Sequence, residues 1–202
     1  MLKKVSKITI VSILALALLL PVSSIAASTY TVVPGDALWK IAVKTETGVS
    51  ELIDNNPQLA NPNNIYPGQK INIEVNTEFS QEQEVIKLVN EERAKAGLSA
   101  LKYDWELARV AKYKSNDMKD QNYFSHDSPV YGSPFTMMKN FGINYKSAGE
   151  NIARGQGSAE QVVNAWMNSS GHRANIMSSD FTHIGVGYVE SGNYWTQMFI
   201  KK

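Results

Sequence analysis

The sequence contains no cysteine, which excludes disulfide bonds, zinc sites built on thiolates and a cysteine nucleophile. It has no excess charge of either sign, since 20 Lys and Arg residues oppose 19 Asp and Glu residues. Because nucleic-acid binding needs a basic surface, this balance predicts no nucleic-acid partner. The sequence also has no G-x-S-x-G, no H-E-x-x-H and no phosphate-binding glycine loop. What is present, 43% hydrophobic and 19% charged residues, is typical of a globular protein.

The only apolar run of any length lies near the N-terminus. Three lysines precede residues 8–20, a run that at about 1.5 Å per residue is too short for a hydrocarbon core of roughly 30 Å. Ser24 and Ala26 then supply the small residues of a cleavage site. The pattern predicts a signal peptide over residues 1–26 and export of the rest of the chain. An uncleaved membrane anchor is the alternative, and it would be the only contact with a membrane.

Residues 29–73 have the pattern of a small β-α-α-β unit. Stretches rich in β-branched residues predict strands at 29–33 and 70–73. Between them, Asp36 is positioned to cap a helix that runs through residue 44, and a second short helix follows at 49–55. About 45 residues is a marginal length for an independent core without a disulfide or a metal ion.

Three segments of this unit carry a specific resemblance. They are V-P-G-D-A-L-W-K-I-A at 33–42, Asn61-Pro62, and I-Y-P-G-Q-K-I at 65–71. Together they resemble a LysM domain, especially the LysM units of spore-coat assembly proteins from endospore-forming bacteria. That family binds glycans containing N-acetylglucosamine, in peptidoglycan or chitin. The resemblance implies the same ligand class here.

The resemblance also implies where the glycan would bind. The groove lies between the first strand–helix loop and the loop before the last strand. Its walls would be Gly35, Asp36, Ala37 and Leu38 on one side, and Pro62, Asn63, Ile65, Tyr66 and Pro67 on the other. Ala37 replaces the usual Thr or Ser, so one hydroxyl contact or helix cap is missing, and a single copy implies weak affinity. Trp39 and Ile41 are predicted to be core residues rather than glycan contacts.

A polar linker at 74–79 leads to a larger domain at 80–202. Its helices are predicted from four capping residues: Ser80, Asp104, Ser133 and Ser158. Residues 150–153 are predicted as a strand, and alternation at 184–188 with a return at 194–200 predicts a C-terminal hairpin. Helices around a small antiparallel sheet give an α+β fold.

Three polar segments of this domain occur in a characteristic order. They read Y-F-S-H-D-S-P at 123–129, A-G-E-N-I-A at 148–153 and S-S-G-H-R-A-N-I-M at 169–177. This order resembles the CAP superfamily (cysteine-rich secretory proteins, antigen 5 and pathogenesis-related 1) in its bacterial form without cystines. The resemblance implies a three-layer α-β-α sandwich with an open cleft.

In that superfamily, two histidines and acidic residues line the cleft, which here correspond to His126, Glu150 and His172. Two imidazoles and a carboxylate can hold a zinc ion with one open position, or can form an acid–base pair. Glu150 could equally have a structural role and hold the sandwich together through hydrogen bonds. Many members have a further glutamate between the first histidine and the inner glutamate. Here Asp127 is the only acid from 127 to 149, and its place beside His126 makes it a poor substitute.

The missing acid argues against a hydrolase. We therefore expect a secreted, non-enzymatic protein that binds peptidoglycan through its LysM domain and presents the CAP cleft to a ligand. The cell wall or the spore envelope is its expected location, with envelope proteins as further candidate partners. The alternative is a metal-dependent hydrolase of wall peptide or protein, with zinc as the candidate cofactor. Capture of a lipid or sterol, known within the superfamily, is favoured by no residue.

Overall fold

The structure is a computed structural model that describes residues 28–73 and 78–202. The signal peptide predicted at 1–26 and residues 74–77 of the predicted linker lie outside the described residues. Within the part that is described, no helix is both long enough and apolar enough to cross a membrane. The described residues form one two-stranded sheet and one four-stranded sheet.

The first sheet belongs to a small β-α-α-β unit, as predicted. Its elements are β1 (Ser28–Thr31), α1 (Leu38–Lys44), α2 (Val49–Asp54) and β2 (Lys70–Ile73). Strands β1 and β2 pair antiparallel, with Ser28 opposite Ile73. Side chains from both helices and both strand ends fill the core beneath this pair: Val32, Leu38, Ile41, Ala42, Leu52, Ile71 and Ile73.

Two predictions for α1 were wrong. The N-cap is Ala37, which makes no side-chain cap bond. Asp36 instead accepts hydrogen bonds from the Val33 amide at 3.0 Å and the Tyr30 hydroxyl at 2.8 Å, so it closes the loop rather than the helix. Trp39 is 60% exposed, whereas Ile41 is fully buried as predicted. The buried stripe repeats at helical spacing from residue 38, and a residue one position further along points away from it.

The second domain contains five helices and four strands. They are α3 (Phe79–Lys95), β3 (Lys102–Tyr103), α4 (Trp105–Asp120), α5 (Pro134–Asn140), β4 (Ser147–Arg154), α6 (Ala159–Met167), α7 (Ser170–Ile176), β5 (His183–Val189) and β6 (Tyr194–Lys201). The sheet order is β3-β5-β6-β4. Strand β6 pairs antiparallel with both neighbours, and only the short β3 runs parallel to its partner β5.

Helices cover both faces of this sheet, so the predicted three-layer sandwich is confirmed. One face packs on α3, α6 and α7 through a cluster that includes Val85, Trp166 and Phe199. The other face packs on α4 and α5 through Leu107, Met137 and Met198. Phe199 and Met198 are neighbours on β6 and lie in different clusters, because successive side chains of a strand point to opposite faces.

Strand β5 allows α4 an unusually close approach. Ile184, Val186 and Tyr188 lie in the α3 cluster, and the two glycines between them face α4. A Cβ atom at Gly185 would lie 2.3 Å from the Ala108 amide nitrogen, and one at Gly187 would lie 2.1 Å from that of Lys112. The I-G-V-G sequence therefore lets the helix backbone rest directly on the strand.

Three of the four predicted caps are confirmed. Asp104, Ser133 and Ser158 each accept a hydrogen bond from the backbone amide three residues ahead. The prediction for Ser80 was wrong, since α3 begins at Phe79 with Glu78 at the cap and no side-chain cap bond. Glu82, in the first turn of α3, accepts a hydrogen bond from the Tyr188 amide at 2.8 Å. That contact ties α3 to the sheet.

The edge strand β4 is covered by side chains from the helical layer. The Glu150 carbonyl accepts a hydrogen bond from Asn175 Nδ2 at 3.1 Å, and the Ile152 carbonyl accepts one from Trp166 Nε1 at 3.2 Å. Carbonyls that would otherwise face outward from the sheet are therefore already engaged.

Candidate functional site

The two predicted walls of the glycan groove are joined at their base by backbone hydrogen bonds. The Val32 amide donates to the Gln69 carbonyl at 2.9 Å, and the Gly68 amide donates to the Val32 carbonyl at 2.8 Å. These bonds fix the loop after β1 next to the turn before β2. The walls are therefore neighbours in the fold.

The predicted wall residues differ in exposure. Gly35, Asn63, Tyr66 and Pro67 are exposed, while Asp36, Ala37, Pro62 and Ile65 are half-buried. Leu38 is buried in the core of the module, so its side chain packs inward and only its backbone is available to a ligand. Tyr66 is 57% exposed, and its ring is the most accessible apolar surface on the second wall.

Asp36 stabilises the first wall electrostatically. Besides its bonds from Val33 and Tyr30, its carboxylate forms an ion pair with Lys44 at 2.9 Å. The backbone bond from Val33, followed by those from Lys44 and Tyr30, lowers the pKa of Asp36 to about 2. The carboxylate is therefore charged at any physiological pH and holds the loop closed.

The second candidate site lies where a loop after α4 meets the edge strand β4. His126, on that loop, places its Nδ1 atom 2.7 Å from Glu150 Oε1 on the strand. The His126 side chain is 54% exposed, whereas that of Glu150 is only 2% exposed. The structure thus brings these two predicted residues together, with the carboxylate buried behind the imidazole.

The environment raises the pKa of both partners. The hydrogen bond that His126 donates to Glu150 raises the pKa of His126 above its usual value, because a carboxylate favours the imidazolium form. Burial raises the pKa of Glu150, and the bond with His126 opposes that effect only in part. Glu150 Oε2 is buried and has no hydrogen-bond partner among the residues that the structure describes. A carboxylate in this position orients the imidazole and leaves its Nε2 atom outside that bond, on a side chain that is 54% exposed.

His172, on α7, lies near enough to His126 for the charge of His126 to act on it. It is half-buried, and both its burial and the charge of His126 lower its pKa. Its carbonyl accepts a bond from Asn151 Nδ2 at 3.1 Å, and the Asn151 Oδ1 atom accepts one from Asn175 at 2.8 Å. The two asparagines therefore tie α7 to β4 and position His172. The sequence segments contain both, but the sequence alone did not single them out.

The donor atoms do not fit a zinc site with three protein ligands. Within residues 28–73 and 78–202, no group of three or more His, Asp or Glu side chains is arranged to hold a metal ion. Glu150 is bonded to Nδ1 of His126, so it stands behind the histidine rather than beside it. At most two imidazoles could therefore bind a metal ion here.

A buried lysine beneath the cleft was missed by the sequence analysis. Lys114 of α4 is completely buried, and its Nζ atom donates to the His126 carbonyl at 2.7 Å and to the Tyr123 hydroxyl at 2.9 Å. Tyr123 and Ser128 in turn donate to Asp117. This cluster anchors both ends of the His126 loop. The only sequence signal was a lysine among the apolar positions of α4.

Two family models match the chain. The model of the cysteine-rich secretory protein (CAP) family matches residues 86–199, and the LysM domain model matches residues 30–74. The first match covers more than half of the 202 residues. The chain therefore belongs to the cysteine-rich secretory protein family and carries a LysM domain ahead of the CAP domain.

Relatives and solved structures agree with this assignment. The uncharacterized protein YkwD of Bacillus subtilis is 64% identical over 121 residues, which are 60% of this chain and 47% of YkwD. An extracellular SCP-domain protein of Bacillus anthracis is 35% identical, with a TM-score of 0.60, over 67% of this chain and 47% of that one. An outer surface protein of Borrelia burgdorferi, with a TM-score of 0.57 and 22% identity over 62% of this chain and 95% of its own, shares the fold. The chain thus spans about half the length of the Bacillus relatives it matches.

Proposed function

We propose that this protein is exported, is retained in the bacterial wall by its LysM domain, and presents the CAP cleft to a ligand without catalysing a reaction. The observation that carries the proposal is the pairing of a LysM domain with a CAP domain in one chain. A LysM domain supports binding to peptidoglycan or to chitin-like glycans. The cell wall and the spore envelope are both places where such a glycan occurs.

The shape of the LysM groove supports glycan binding. Its two walls are held side by side, and Tyr66 and Pro67 expose apolar surface next to the backbone of Asn63. Sugars are commonly bound between apolar side chains that cover a ring face and polar backbone groups that orient the substituents. A groove with one accessible aromatic ring is consistent with the weak affinity of a single copy.

The composition of the CAP cleft supports a binding role. A hydrolytic mechanism with general acid and base needs two groups that titrate separately and both reach the substrate. Here the buried carboxylate is engaged by His126, and Asp127 is exposed on the loop. The groups that remain open to a ligand are the imidazoles of His126 and His172. They suit recognition of a hydrogen-bonding or anionic group.

Retention on purified peptidoglycan tests the proposal. We expect the chain to sediment with peptidoglycan, and Tyr66→Ala to release most of the bound fraction. Val43→Ala is the matched control, since Val43 is similarly exposed on the LysM domain but lies on α1 outside the groove walls. Equal retention of the wild type and Tyr66→Ala, or equal loss in both variants, would contradict the groove assignment.

A hydrolase remains the second candidate, and the His126–Glu150 pair is the observation that favours it. A histidine oriented by a buried carboxylate can act as a general base through its free nitrogen. The test is release of soluble fragments from peptidoglycan, with and without added zinc, by the wild type and by His126→Ala and His172→Ala. Release that both substitutions abolish would replace the binding proposal.

A further inference from the structure

Arg109 of α4 lies at a contact between the two domains. Its Nε atom donates to Glu51 of α2 in the LysM domain, and its Nη2 atom lies 3.4 Å from the Ser50 hydroxyl. The ion pair is largely shielded from solvent, since the Arg109 and Glu51 side chains are 24% and 17% exposed. Exposed ion pairs contribute little, but shielding from water strengthens such a pair.

The CAP domain holds Arg109 ready for this contact. The guanidinium carbon lies 5.6 Å from the ring centre of Tyr113 and 5.5 Å from that of Phe141. Stacking of this kind restricts the side chain before it meets an acid, so less conformational entropy is lost on pairing. Arg109 is therefore presented by two aromatic rings rather than extended into solvent.

The LysM domain is shaped for the same contact. A Cβ atom at Gly48 would lie only 2.3 Å from Arg109 Nε, so the absence of a side chain there makes room for the guanidinium. Burial raises the pKa of Glu51, but the hydrogen bonds from Arg109, Ser50 and the backbone, together with the charge of Arg109, outweigh burial and the pKa is lowered. Both sides of the contact are thus complementary in shape and charge.

The chain connecting the domains leaves the LysM domain little freedom to move away. Glu78, just before α3, forms an ion pair with Lys112 and accepts a bond from the Glu190 amide at 2.9 Å. Lys112 lies one turn beyond Arg109 on α4. Five residue steps separate the end of β2 at Ile73 from Glu78, a reach of at most about 18 Å. The LysM domain is therefore held close to α4.

We infer that Arg109 docks the LysM domain onto the CAP domain through Glu51, so that the two domains move as one body and the glycan groove and the His126 cleft keep a fixed relative position. The contact uses Gly48 and the start of α2, whereas the groove walls belong to residues 35–38 and 62–67. Glycan binding and docking are thus compatible. This inference does not depend on what either site binds.

A short connection makes even a weak contact effective. A linker of this length gives an effective concentration in the millimolar range. A contact with a dissociation constant of about 1 mM would then keep the domains docked roughly half of the time, and a tighter one nearly always. The partly buried Arg109–Glu51 pair with its aromatic support needs only modest strength to fix the arrangement.

Relaxation of backbone ¹⁵N nuclei, measured by nuclear magnetic resonance, tests the docking. The sample is the protein with both domains and their natural linker, and residues 1–26 can be present or absent. We expect residues 28–73 and 78–202 of the wild type to report the same rotational correlation time. In Arg109→Glu, the correlation time of the LysM domain should fall by about half, because a small linked domain then tumbles separately. Glu51→Lys should have the same effect from the other side of the contact.

Two further variants make the result specific. Lys119→Glu is the charge-matched control, since Lys119 lies on the same helix and pairs with its neighbour Asp120 at 2.9 Å; it should leave the common correlation time unchanged. The double variant Glu51→Arg with Arg109→Glu should restore common tumbling. Separate tumbling in the wild type, common tumbling in both single variants, or failure of the double reversal would overturn the inference.

Discussion

At the scale of single residues, the cleft depends on a histidine whose orientation is set by groups behind it. Glu150 bonds to Nδ1 of His126, and Lys114 bonds to the carbonyl of the same residue. The imidazole is thus fixed from both its ring and its backbone. Within the described part of the chain, no carboxylate is bonded to the imidazole of His172, so the two histidines differ in their chemistry.

The chain has three histidines, which makes their titration easy to follow by nuclear magnetic resonance. We expect His126 to titrate above the usual pKa of about 6.5 and His172 below it. Protonated His126 therefore stabilises the fold below about pH 6.5, and this contribution is lost as the pH rises through its raised pKa. Glu150→Gln should lower the pKa of His126. His183, which is remote on β5, is the internal control, and an unchanged His126 would contradict the pairing.

The role of Lys114 can be measured through stability and local opening. Lys114→Met removes the donor to the His126 carbonyl and the Tyr123 hydroxyl, so we expect a loss of about 1–3 kcal/mol in the free energy of unfolding. Amide hydrogen exchange of residues 123–132 should accelerate in the same variant. Lys119→Met is the comparison, expected to change stability by no more than about 0.5 kcal/mol. Equal stability of the two variants would show that Lys114 does not anchor the loop.

At the scale of elements, the glycines of β5 determine how close α4 lies to the sheet. Gly187→Ala would force the new methyl group against the backbone of α4, which cannot move as a flexible side chain could. We expect a loss of about 1–3 kcal/mol or more in the free energy of unfolding. Gly171→Ala on α7 is the control, since its Cβ would meet nothing within 4 Å and alanine favours a helix. Chemical denaturation measures both, and a tolerated Gly187→Ala would contradict the close packing.

The helix starts show which parts of the fold the sequence predicts and which it does not. Asp104, Ser133 and Ser158 were found because a cap bonds to an amide three residues away, so the signal is local. The prediction for Ser80 was wrong because α3 begins one residue earlier, at Phe79, with no side-chain cap bond to mark its start. In the same turn Glu82 bonds to the Tyr188 amide, 106 residues further along the chain, a contact that no local pattern reveals. The pairing of His126 with Glu150 was accessible only through family resemblance. Arg109 depends on long-range packing that leaves no local pattern, and the only local signal for Lys114 was its place among the apolar positions of α4.

At the scale of the whole molecule, we expect the length of the linker to set how much of the time the LysM domain is docked on α4. Inserting ten Gly and Ser residues between Ile73 and Glu78 would lengthen the connection from five steps to fifteen. The effective concentration of the LysM domain at α4 should then fall about fivefold, since it decreases with roughly the 3/2 power of length. Relaxation measurements should report a LysM domain that moves more independently than in the wild type, while retention on peptidoglycan is unchanged. An unchanged correlation time would contradict the expectation that the short linker is needed for docking. The Arg109–Glu51 contact would then hold the domains together even at the lower effective concentration.

The hydrogen bonds on the outer edge of strand β4 affect how copies of the protein interact when they are crowded together. A protein immobilised on a polymer meets other copies at concentrations that favour strand-to-strand pairing between molecules. Because Trp166 and Asn175 already bond to two carbonyls of β4, those of Ile152 and Glu150, an incoming strand would have to break existing bonds before forming new ones there. If the protein is retained on a glycan as proposed, these bonds would oppose strand-to-strand association of crowded copies at this edge of the sheet.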